Sequence, residues 1–566
     1  MHHNLGCRPV CTGAHPSEPL RTGTGQVGWE PVIQCKSPPL PNRNLLWYAF
    51  TGTTKILAAS ASREGDMKLT KTDFLIYQDC PHNAWVKIHE PDIFHSKPLS
   101  VFDQLIIETG NDVDELAREL FPKGELIERG DAKKTRELID NETPVLYQPY
   151  FATEHFVTAS DILVWNKNAG KYDLYEVKAS TTGEDKKKKE ELYTNDIAFQ
   201  LRVLRDCGVS IGRAFLVRLN PEYIRGADLN IRDLFVREDF TERATGVIGD
   251  VETQMETALA ILNSDRMPTI PCGCIYRGRS AHCTTFTHIN PIVPEYSVHD
   301  ISRIGLSKKK LAELVENDIL AIEDVPDDFK LSEPQRNQVE ATISGKPSID
   351  EGAIAEFIKT IKYPIAFFDY ETFPSAIPRF LGYRPFDQIP FQFSLHVIAE
   401  EGSEAVHHEF LFTEAGNPDR ELIVALRAAM PNTGSVISWN KPFEMTINSH
   451  LGSRHQDNAE YFADMNNRMI DLRDPFSGQL FVHPAFKGKT SIKAVLPVLV
   501  QNGEGSYKEL AIQEGATATE TWNRIVTGEM LAKDVESARH NLLAYCRLDT
   551  LAMVLIFKKL KNLNYE

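Results

Sequence analysis

The sequence predicts a mixed α/β protein with one domain over residues 67–295, a second over residues 361–566 and a helical connector at 296–360 between them. A chain of 566 residues is too long for one hydrophobic core. Its hydrophobic fraction of 42% and charged fraction of 25% are ordinary for globular proteins. Apolar runs of strand length also alternate with helical patterns in both regions. These observations exclude a fibrous or wholly disordered chain.

The net charge of the chain limits the classes of function that the sequence fits. A charge of -17 has the wrong sign for a protein that coats nucleic acid through bulk electrostatics. It is compatible with an enzyme whose carboxylates hold divalent metals and whose basic residues act locally. Because the sequence contains no long apolar run and no secretory pattern, we expect a cytoplasmic protein without a membrane partner. In that compartment cysteines are free thiols or metal ligands.

The first 66 residues differ from the rest of the chain. They are rich in Pro, Gly, Ser and Thr and have no sustained period, which predicts a disordered leader. Organised sequence begins at Met67, so a start codon assigned too far upstream is one explanation. On that hypothesis Cys7, Cys11 and Cys35 have no function.

Strand and helix signals then follow in order. FVTASDILVWNK and KYDLYEVKAS, on either side of a turn at 168–170, predict a strand pair in the first domain. The connector contains the amphipathic segment SRIGLSKKKLAELVENDI. The second domain opens with the apolar strand YPIAFFDYETF. It closes with a helix through HNLLAYCRLDTLAMVLIFKKL, whose apolar residues recur every three and four positions.

The second domain contains a set of residues suited to metal chemistry. Asp369 and Glu371 stand two apart at the end of a strand, so both carboxylates point to one side of the sheet. Phosphodiester hydrolysis by two divalent ions about 4 Å apart needs several converging carboxylates. Further candidates are Asn440 and Glu444 after another apolar strand, and Tyr545 and Asp549 on one helix face. The set predicts a site for Mg²⁺ or Mn²⁺.

These motifs resemble those of the proofreading-type 3′–5′ exonucleases of the ribonuclease H-like fold, which read Asp-x-Glu, Asn-x-x-Phe-Asp and Tyr-x-x-x-Asp. The resemblance implies that Asp369, Glu371, Glu444 and Asp549 bind metal and that Tyr545 orients the attacking water. Each motif alone is weak, since Asp-x-Glu at a strand end and Tyr-x-x-x-Asp on a helix face both occur by chance. Their order along the chain is the stronger signal.

The sequence departs from this pattern at one position and offers three additional residues. Position 444 is Glu where the family usually has Asp, and the extra methylene changes how the carboxylate reaches a metal. Asp471 is a candidate for a further carboxylate. Lys489 and Lys493 are candidate phosphate contacts, with solvated surface lysines as the alternative.

The predicted strand pair of the first domain also resembles a nuclease motif. Asp161 on its first strand, with Glu176 and Lys178 on one face of its second, has the layout of the PD-(D/E)XK (restriction-endonuclease-like) nucleases. In that chemistry the carboxylates bind metal and the lysine orients or helps deprotonate water. His155 and Gln200 match the metal-binding histidine and downstream glutamine of RecB-type members. The alternative is an exposed Glu–Lys ion pair on a solvated strand.

Four cysteines bracket the first domain: Cys80 precedes its core, and Cys272, Cys274 and Cys283 follow it. Four thiolates suit a [4Fe–4S] cluster or a structural zinc. The one-plus-three arrangement resembles that of CRISPR-associated and helicase-linked iron–sulfur exonucleases, which favours the cluster. The Cys-Gly-Cys spacing departs from their usual two-residue gap, and reduced cysteines without metal are a third interpretation. Two other cysteines, Cys207 and Cys546, are expected to be buried thiols.

The segments IAFFDYETFPSAIPRF, PFQFSLHV, GKTSIKAVLPVLV and YCRLDT resemble the bacterial family called domain of unknown function 2779, over about residues 67 to 560. The resemblance implies an iron–sulfur RecB-like nuclease region followed by a ribonuclease H-like exonuclease domain. We therefore expect a metal-dependent nuclease acting on DNA, in repair or in defence against foreign DNA. Two alternatives stay open. One is a nucleic-acid-binding scaffold with one or both sites inactive, and the other is an RNA-processing exonuclease.

Overall fold

A computed structural model describes residues 67–181, 186–500 and 505–563, which all fall within one compact unit. The predicted leader and its three cysteines lie outside these residues. The described chain is mixed α/β, as predicted, with two large sheets that we call the N-terminal and C-terminal sheets. The domain boundaries at 295 and 360 stay predictions.

The N-terminal part contains nine strands and nine α-helices within the described residues. The strands are β1 Leu69–Thr70, β2 Glu125–Leu126, β3 Val145–Tyr147, β4 Tyr150–Ala152, β5 Phe156–Ala159, β6 Ile162–Asn166, β7 Lys171–Lys178, β8 Ile211–Leu219 and β9 Phe235–Asp239. The helices are α1 Lys71–Asp79, α2 Pro81–His89, α3 Pro91–Phe94, α4 Val101–Ala117, α5 Ala132–Asp140, α6 Lys186–Asp206, α7 Ile231–Leu234, α8 Thr241–Asn263 and α9 Phe286–Ile289.

The connector and the C-terminal part supply the remaining elements of the described chain. The strands are β10 Ser348–Ile349, β11 Ile365–Pro374, β12 Gln388–Ile398, β13 Val406–Leu411, β14 Ser435–Ser438, β15 Met469–Asp471 and β16 Phe481–Val482. The helices are α10 Lys308–Glu316, α11 Glu333–Ser344, α12 Glu351–Lys359, α13 Asp419–Ala429, α14 Lys441–Arg454, α15 Ala459–Asn467, α16 Asp474–Ser477, α17 Ile492–Leu499, α18 Gly515–Val526 and α19 Ala532–Lys561.

The N-terminal sheet has six strands in the order β2-β3-β6-β7-β8-β9. Strand β7 lies near its middle, antiparallel to β6 and parallel to β8, and every residue after its first is buried. Helices α6 and α8 pack against each other and against β8. The main hydrophobic core of the N-terminal part contains residues of these helices and of the sheet. The central position of β7 explains why its polar residues are buried.

One strand prediction for this sheet is wrong. The segment FVTASDILVWNK is not one strand, because β5 joins a small separate sheet in the order β1-β5-β4 while β6 joins the N-terminal sheet. The break falls at Ser160 and Asp161, which lies just before β6 and not on it. At this point the Asp161 carboxylate accepts a hydrogen bond from the Val177 backbone N–H at 2.7 Å, and the Ser160 N–H donates to the Pro149 carbonyl at 3.1 Å. These bonds hold the chain as it crosses between sheets.

The C-terminal sheet has five strands in the order β13-β12-β11-β14-β15. Strand β11 pairs antiparallel with β12 and parallel with β14, and β14 pairs parallel with β15. Apolar clusters cover both faces of β11, one containing Phe367 and the other Phe368. Helix α19 packs across β11 and β12 on the Phe367 face. Because side chains alternate along a strand, Asp369 and Glu371 continue the Phe367 row toward α19.

Helix α19 passes a length and composition test for a membrane-spanning segment, and it does so alone among the helices of the described chain. It is also the core helix of the C-terminal half, and 61% of its most apolar window is buried. Its burial against β11, together with the polar residues that it brings to that strand, is typical of a core helix in a globular fold.

The N-terminal and C-terminal parts are joined by more than the connector, whose short helices enclose a small apolar cluster of their own. The loop that follows β11 reaches back to the N-terminal part. The Arg225 N–H donates to the Tyr383 carbonyl at 2.9 Å, and the Gly382 N–H donates to the Arg225 carbonyl at 2.8 Å. Ala376 and Phe386 from the same loop pack in a cluster with residues of β7 and β8. The loop thus fixes the end of β11 against the N-terminal sheet.

Candidate carboxylate and cysteine sites

The C-terminal carboxylates come from a strand and two helices. Asp369 and Glu371 lie on β11, where the helix α19 brings Cys546 close to them. One carboxylate oxygen of each acid and the Cys546 sulfur all lie within 4.8 Å of one another. The Cys546 thiol lies 4.0 Å from Asp369 Oδ2. The two acids thus lie on one side of the strand, as its periodicity predicts. The Cys546 thiol, which is buried as expected, lies beside them.

Glu444 enters the cluster from the first turns of α14. It is buried, and its Oε2 has no hydrogen-bond partner within the described chain. The helix is started by Asn440, whose φ of 83° lies in the left-handed region. Asp471 fixes this turn, since its carboxylate accepts hydrogen bonds from the backbone N–H groups of Asn440 and Lys441, each at 3.0 Å. A buried carboxylate oxygen without a donor is an expected feature of a cation site.

Helix α19 supplies Tyr545 and Asp549 on one face, as the spacing of four predicts. The Asp549 Oδ1 accepts a hydrogen bond of 2.5 Å from the hydroxyl of Tyr507, a residue of the 3-10 turn Tyr507–Glu509. The Lys493 ammonium, from α17, donates to the Tyr545 hydroxyl at 3.1 Å and to the Gln513 carbonyl at 2.6 Å. Lys493 therefore lies at the edge of the carboxylate cluster and not on open surface.

Burial raises the pKa of all four acids, and the charge of a neighbouring acid adds to this effect at Asp369, Glu371 and Glu444. Burial and the charge of Asp549 raise the pKa of Asp369 well above its ordinary value, and burial, Asp369 and Asp549 do the same to Glu371. Burial and Asp369 raise the pKa of Glu444 likewise. Burial raises the pKa of Asp549 to about 6, although the Tyr507 hydrogen bond and the Lys493 charge lower it. Lys493 is the cation that these shifts identify among the described residues.

Two predicted site residues take other positions. Asp471 is near enough to raise the pKa of Glu444, after burial and Asp369, but it uses both oxygens to hold backbone N–H groups. Its third hydrogen bond is accepted from the Arg473 N–H at 3.0 Å. Lys489 is exposed on the loop after the 3-10 turn Pro484–Phe486 and is near the exposed Glu295. Roles in metal or phosphate binding stay predictions for both.

The N-terminal site is built differently, because its acids already have cationic partners. The Lys178 ammonium donates to Glu176 Oε1 at 2.5 Å and to Asp196 Oδ2 at 2.7 Å. Lys71, the first residue of α1, donates to Glu176 Oε1 at 2.9 Å and lies 3.4 Å from Asp196 Oδ1. The Gln200 amide donates to both acids, at 2.7 and 2.9 Å. Two carboxylates thus face two ammonium groups and an amide.

This arrangement is buried. The side chains of Glu176 and Asp196 are 1% exposed, that of Lys178 is 2% exposed and that of Lys71 is 12% exposed. Burial lowers the pKa of Lys178 and of Lys71, but attraction to Asp196 and Glu176 outweighs it, and both pKa values are raised overall. The predicted Glu-x-Lys pair is therefore an interior ion pair, so the solvated-strand alternative is wrong.

The other two predicted residues of this site lie at its border. Burial and repulsion from Asp114 raise the pKa of Asp161, whereas Lys71 and Lys178 lower it. His155 lies between β4 and β5, and its Nε2 is 4.0 Å from the carboxylate of Glu154. The hydrogen-bonded cluster described above does not include His155. A metal-binding role for His155 stays a prediction.

The four bracketing cysteines meet in one buried cluster. Each offers a sulfur, and all four sulfurs lie within 4.8 Å of one another. Cys80 lies between α1 and α2. Cys272 precedes the 3-10 turn Gly273–Tyr276, which contains Cys274, and Cys283 lies in the loop before α9. The Cys80 and Cys272 sulfurs are 3.6 Å apart, and all four are free cysteines. The grouping predicted from the sequence is therefore present, with sulfur as the donor.

A comparison with known protein families identifies part of the C-terminal half of the chain. Residues 366–491 match the family model described as domain of unknown function (DUF2779). No curated protein matches the chain. The matched segment, which we call the DUF2779 segment, includes Asp369, Glu371 and Glu444 but ends before Tyr545 and Asp549. It covers the strands of the C-terminal sheet from residue 366 onward and the whole of α14, and its description states no function.

Three of the four residues that complete these sites were missed in the sequence. Tyr507, Lys71 and Asp196 occupy no recognisable motif, whereas Lys493 is predicted as a phosphate contact or a solvated surface lysine. Asp196 stands four residues before Gln200 on α6, so the helix period places both on one face, and that spacing was an available signal. The other three reach their sites through tertiary contacts. Two of them lie beyond the DUF2779 segment, and Lys71 lies far before it.

Proposed function

We propose that the protein is a divalent-metal-dependent nuclease that acts on DNA through the C-terminal carboxylate cluster. The observation that carries the proposal is that Asp369, Glu371, Glu444 and Asp549 are all buried, and that burial raises the pKa of each. The charge of a neighbouring acid of this set raises the pKa of Asp369, Glu371 and Glu444 further, and Lys493 is the nearby cation that lowers the pKa of Asp369, Glu371 and Asp549. Uncompensated buried acids are unfavourable unless a cation joins them. A metal site explains their burial.

The donor set fits Mg²⁺ or Mn²⁺. Carboxylate oxygens are the ligands that hard divalent ions prefer, and Glu444 Oε2 is a buried oxygen without a donor among the described residues. Asp369, Glu371, Glu444 and Asp549 would hold the metal. When bound, such ions polarise a phosphate, lower the pKa of water and stabilise the charge on the leaving oxygen. The strand order β13-β12-β11-β14-β15, with β11 central, also supports the ribonuclease H-like fold that the motifs imply.

The protein's own residues then have separate roles in a 3′–5′ exonuclease reaction. The Tyr545 hydroxyl accepts from Lys493, which orients the phenol at the edge of the acid cluster. Burial and the charge of Asp549 raise the pKa of Tyr545, so Tyr545 is a protonated phenol that orients water and does not take a proton. Tyr507 holds Asp549 by its hydrogen bond. Lys493 is placed to contact a phosphate oxygen as well.

A second role is favoured for the N-terminal site, where Lys71 and Lys178 already balance Glu176 and Asp196. A metal ion at these carboxylates competes with Lys71, whose ammonium occupies a position that a cation would take. We propose that this site binds no metal and is catalytically inactive while Lys71 stays in place. It becomes a second nuclease site only if α1 withdraws Lys71.

The test is degradation of end-labelled single-stranded and double-stranded DNA and RNA with Mg²⁺ or Mn²⁺. Wild type is compared with Asp369→Asn and with Glu176→Gln. Glu536→Gln, which changes an exposed acid of α19, is the matched control. We expect loss of DNA cleavage in Asp369→Asn and retention in the other two.

Each other outcome has a defined meaning. Cleavage that survives Asp369→Asn but not Glu176→Gln assigns the activity to the N-terminal site and refutes the proposal. Preference for RNA favours the RNA-processing alternative. A folded protein that cuts nothing but still binds nucleic acid favours the scaffold alternative.

A further inference from the structure

We propose that Cys80, Cys272, Cys274 and Cys283 hold one tetrahedral divalent ion, Zn²⁺ or Fe²⁺, in place of the [4Fe–4S] cluster that the resemblance implies. The proposal concerns a site separate from both carboxylate sites and does not depend on nuclease activity. It rests on the separations between the four sulfurs and on the surroundings of the cluster.

The sulfur separations distinguish the two kinds of centre. In a tetrahedron with metal–sulfur bonds of about 2.3 Å, the sulfurs lie about 3.8 Å apart. In a [4Fe–4S] cluster each thiolate binds a different iron and points outward, so the sulfurs are separated by roughly 6 Å. Here all four sulfurs lie within 4.8 Å of one another, and those of Cys80 and Cys272 are 3.6 Å apart. The cavity between them has room for one ion and not for a cubane.

A metal-free alternative fits less well. The sulfurs of Cys80 and Cys272 are too far apart for a disulfide, whose bond is about 2.05 Å. Four thiols converge from three separate turns or loops, since Cys272 and Cys274 share one turn, and all four are buried. Buried cysteines are common, but they need not point at one centre. Convergence on one centre is expected of metal ligands.

The surroundings fix the loops without adding ligands. His282 Nε2 lies 2.9 Å from the Arg277 carbonyl, and His299 Nε2 lies 2.8 Å from the Ile275 carbonyl. Arg277 binds Asp79, donating to its carboxylate at 2.8 Å and to its carbonyl at 3.0 Å. The Arg277 guanidinium therefore lies beside Asp79, the residue directly before Cys80. A positive charge there offsets the negative charge of a four-thiolate zinc site.

The position of Cys80 gives the ion a structural task. Helix α1 begins at Lys71, in the N-terminal carboxylate site, and ends at Asp79, directly before Cys80. Nine helical residues at about 1.5 Å each span roughly 13 Å. An ion bound by Cys80 therefore fixes one end of the helix whose other end closes the carboxylate site. Loss of the ion is expected to loosen α1 as well as the cysteine loops.

The experiment measures zinc, iron and acid-labile sulfide in the full chain, purified without oxygen from cells supplied with both metals. We expect one zinc or one iron per chain and no sulfide. X-ray absorption at the metal edge is expected to show a single sulfur shell. Iron accompanied by sulfide, a broad visible band typical of a cluster, or a metal-free protein overturns the proposal.

A pair of cysteine variants locates the ion. Cys274→Ser removes one ligand, whereas Cys207→Ser changes a partly exposed free cysteine outside the cluster and serves as the matched control. We expect metal content to fall to background only in Cys274→Ser, with faster hydrogen exchange along α1. Metal retained in full by Cys274→Ser refutes the assignment. If that variant does not fold, the metal-edge spectrum of wild type decides.

Discussion

Replacing Asp549 by Asn is expected to stabilise the metal-free protein, although Asp549 is a buried residue in the proposed active site. The pKa of Asp549 is raised from an ordinary 3.8 to about 6, mainly by burial. Its ionised form is therefore disfavoured in the fold at neutral pH. Asn removes the charge and keeps an oxygen that accepts the Tyr507 hydrogen bond. The change thus removes a penalty without emptying a core position.

The size of the stability gain expected for Asp549→Asn follows from the raised pKa of Asp549. About 2 pKa units at roughly 1.4 kcal/mol each correspond to about 3 kcal/mol at most, expressed fully above pH 6. For an acid with a raised pKa, the folded state binds more protons between pH 3.8 and about 6, so the penalty decreases as pH falls through that window. The stability gain of Asp549→Asn should be largest near neutral pH and vanish below 3.8.

The assay is thermal and denaturant unfolding across this pH range without added divalent metal. A strong chelator is avoided because it would also remove an ion from the cysteine cluster. Wild type should gain stability on addition of Mn²⁺, and Asp549→Asn should gain much less, since a ligand is lost. Glu536→Gln, on the exposed side of the same helix, should match wild type in every condition. An Asp549→Asn protein that is no more stable than wild type at neutral pH refutes the claim that burial of the ionised Asp549 carboxylate destabilises the metal-free fold.

Three further predictions follow from other contacts. Lys71→Met should lower the free energy of unfolding by about 3 kcal/mol, because it leaves the buried acids Glu176 and Asp196 with one cation fewer. Calorimetric titration of this variant should then detect Mn²⁺ binding, which a second substitution, Asp196→Asn, should abolish. A Lys71→Met protein as stable as wild type would contradict this ion-pair argument. Tyr507→Phe should slow DNA cleavage less than Tyr545→Phe, since Tyr507 only holds Asp549 by a hydrogen bond. Equal losses of activity would contradict these separate roles. Circular dichroism spectra of both variants control for folding. Burial, followed by repulsion from His407, lowers the pKa of His396 to about 3, so its contribution to stability is present above pH 6.5 and is lost as pH falls toward 3. The stability of His396→Gln should therefore fall less steeply than that of wild type in acid unfolding curves. An unchanged slope would show that this histidine does not titrate on unfolding.

The parts of the fold that depend on local periodicity were predictable from the sequence. Strand period two placed Asp369 with Glu371, and Glu176 with Lys178, on common faces. Helix period placed Tyr545 and Asp549 together. The break between β5 and β6 was not predictable, because FVTASDILVWNK has a continuous strand pattern. Its division depends on hydrogen bonds from Val177 and to Pro149, which lie outside the segment.

The charge balance of each site could not be predicted from local sequence patterns. Lys71 reaches Glu176 across 105 positions of sequence, and Tyr507 reaches Asp549 across 42. No short motif records such pairs. The sequence therefore identified two acid clusters of similar composition, whereas the tertiary contacts of the described residues show that Glu176 and Asp196 pair with lysines and that the C-terminal acids do not. That difference decides which of the two we propose as the cleavage site.

The contact between Arg225 and the loop holding Tyr383 has a consequence for how the chain can move and be dissected. The two large sheets are attached twice, through the connector and through this loop, so the connector cannot act as a free hinge. A protease cut within residues 296–360 should leave two fragments that co-purify. Separate expression of residues 361–566 would expose Ala376 and Phe386, which pack against the N-terminal sheet in the intact chain.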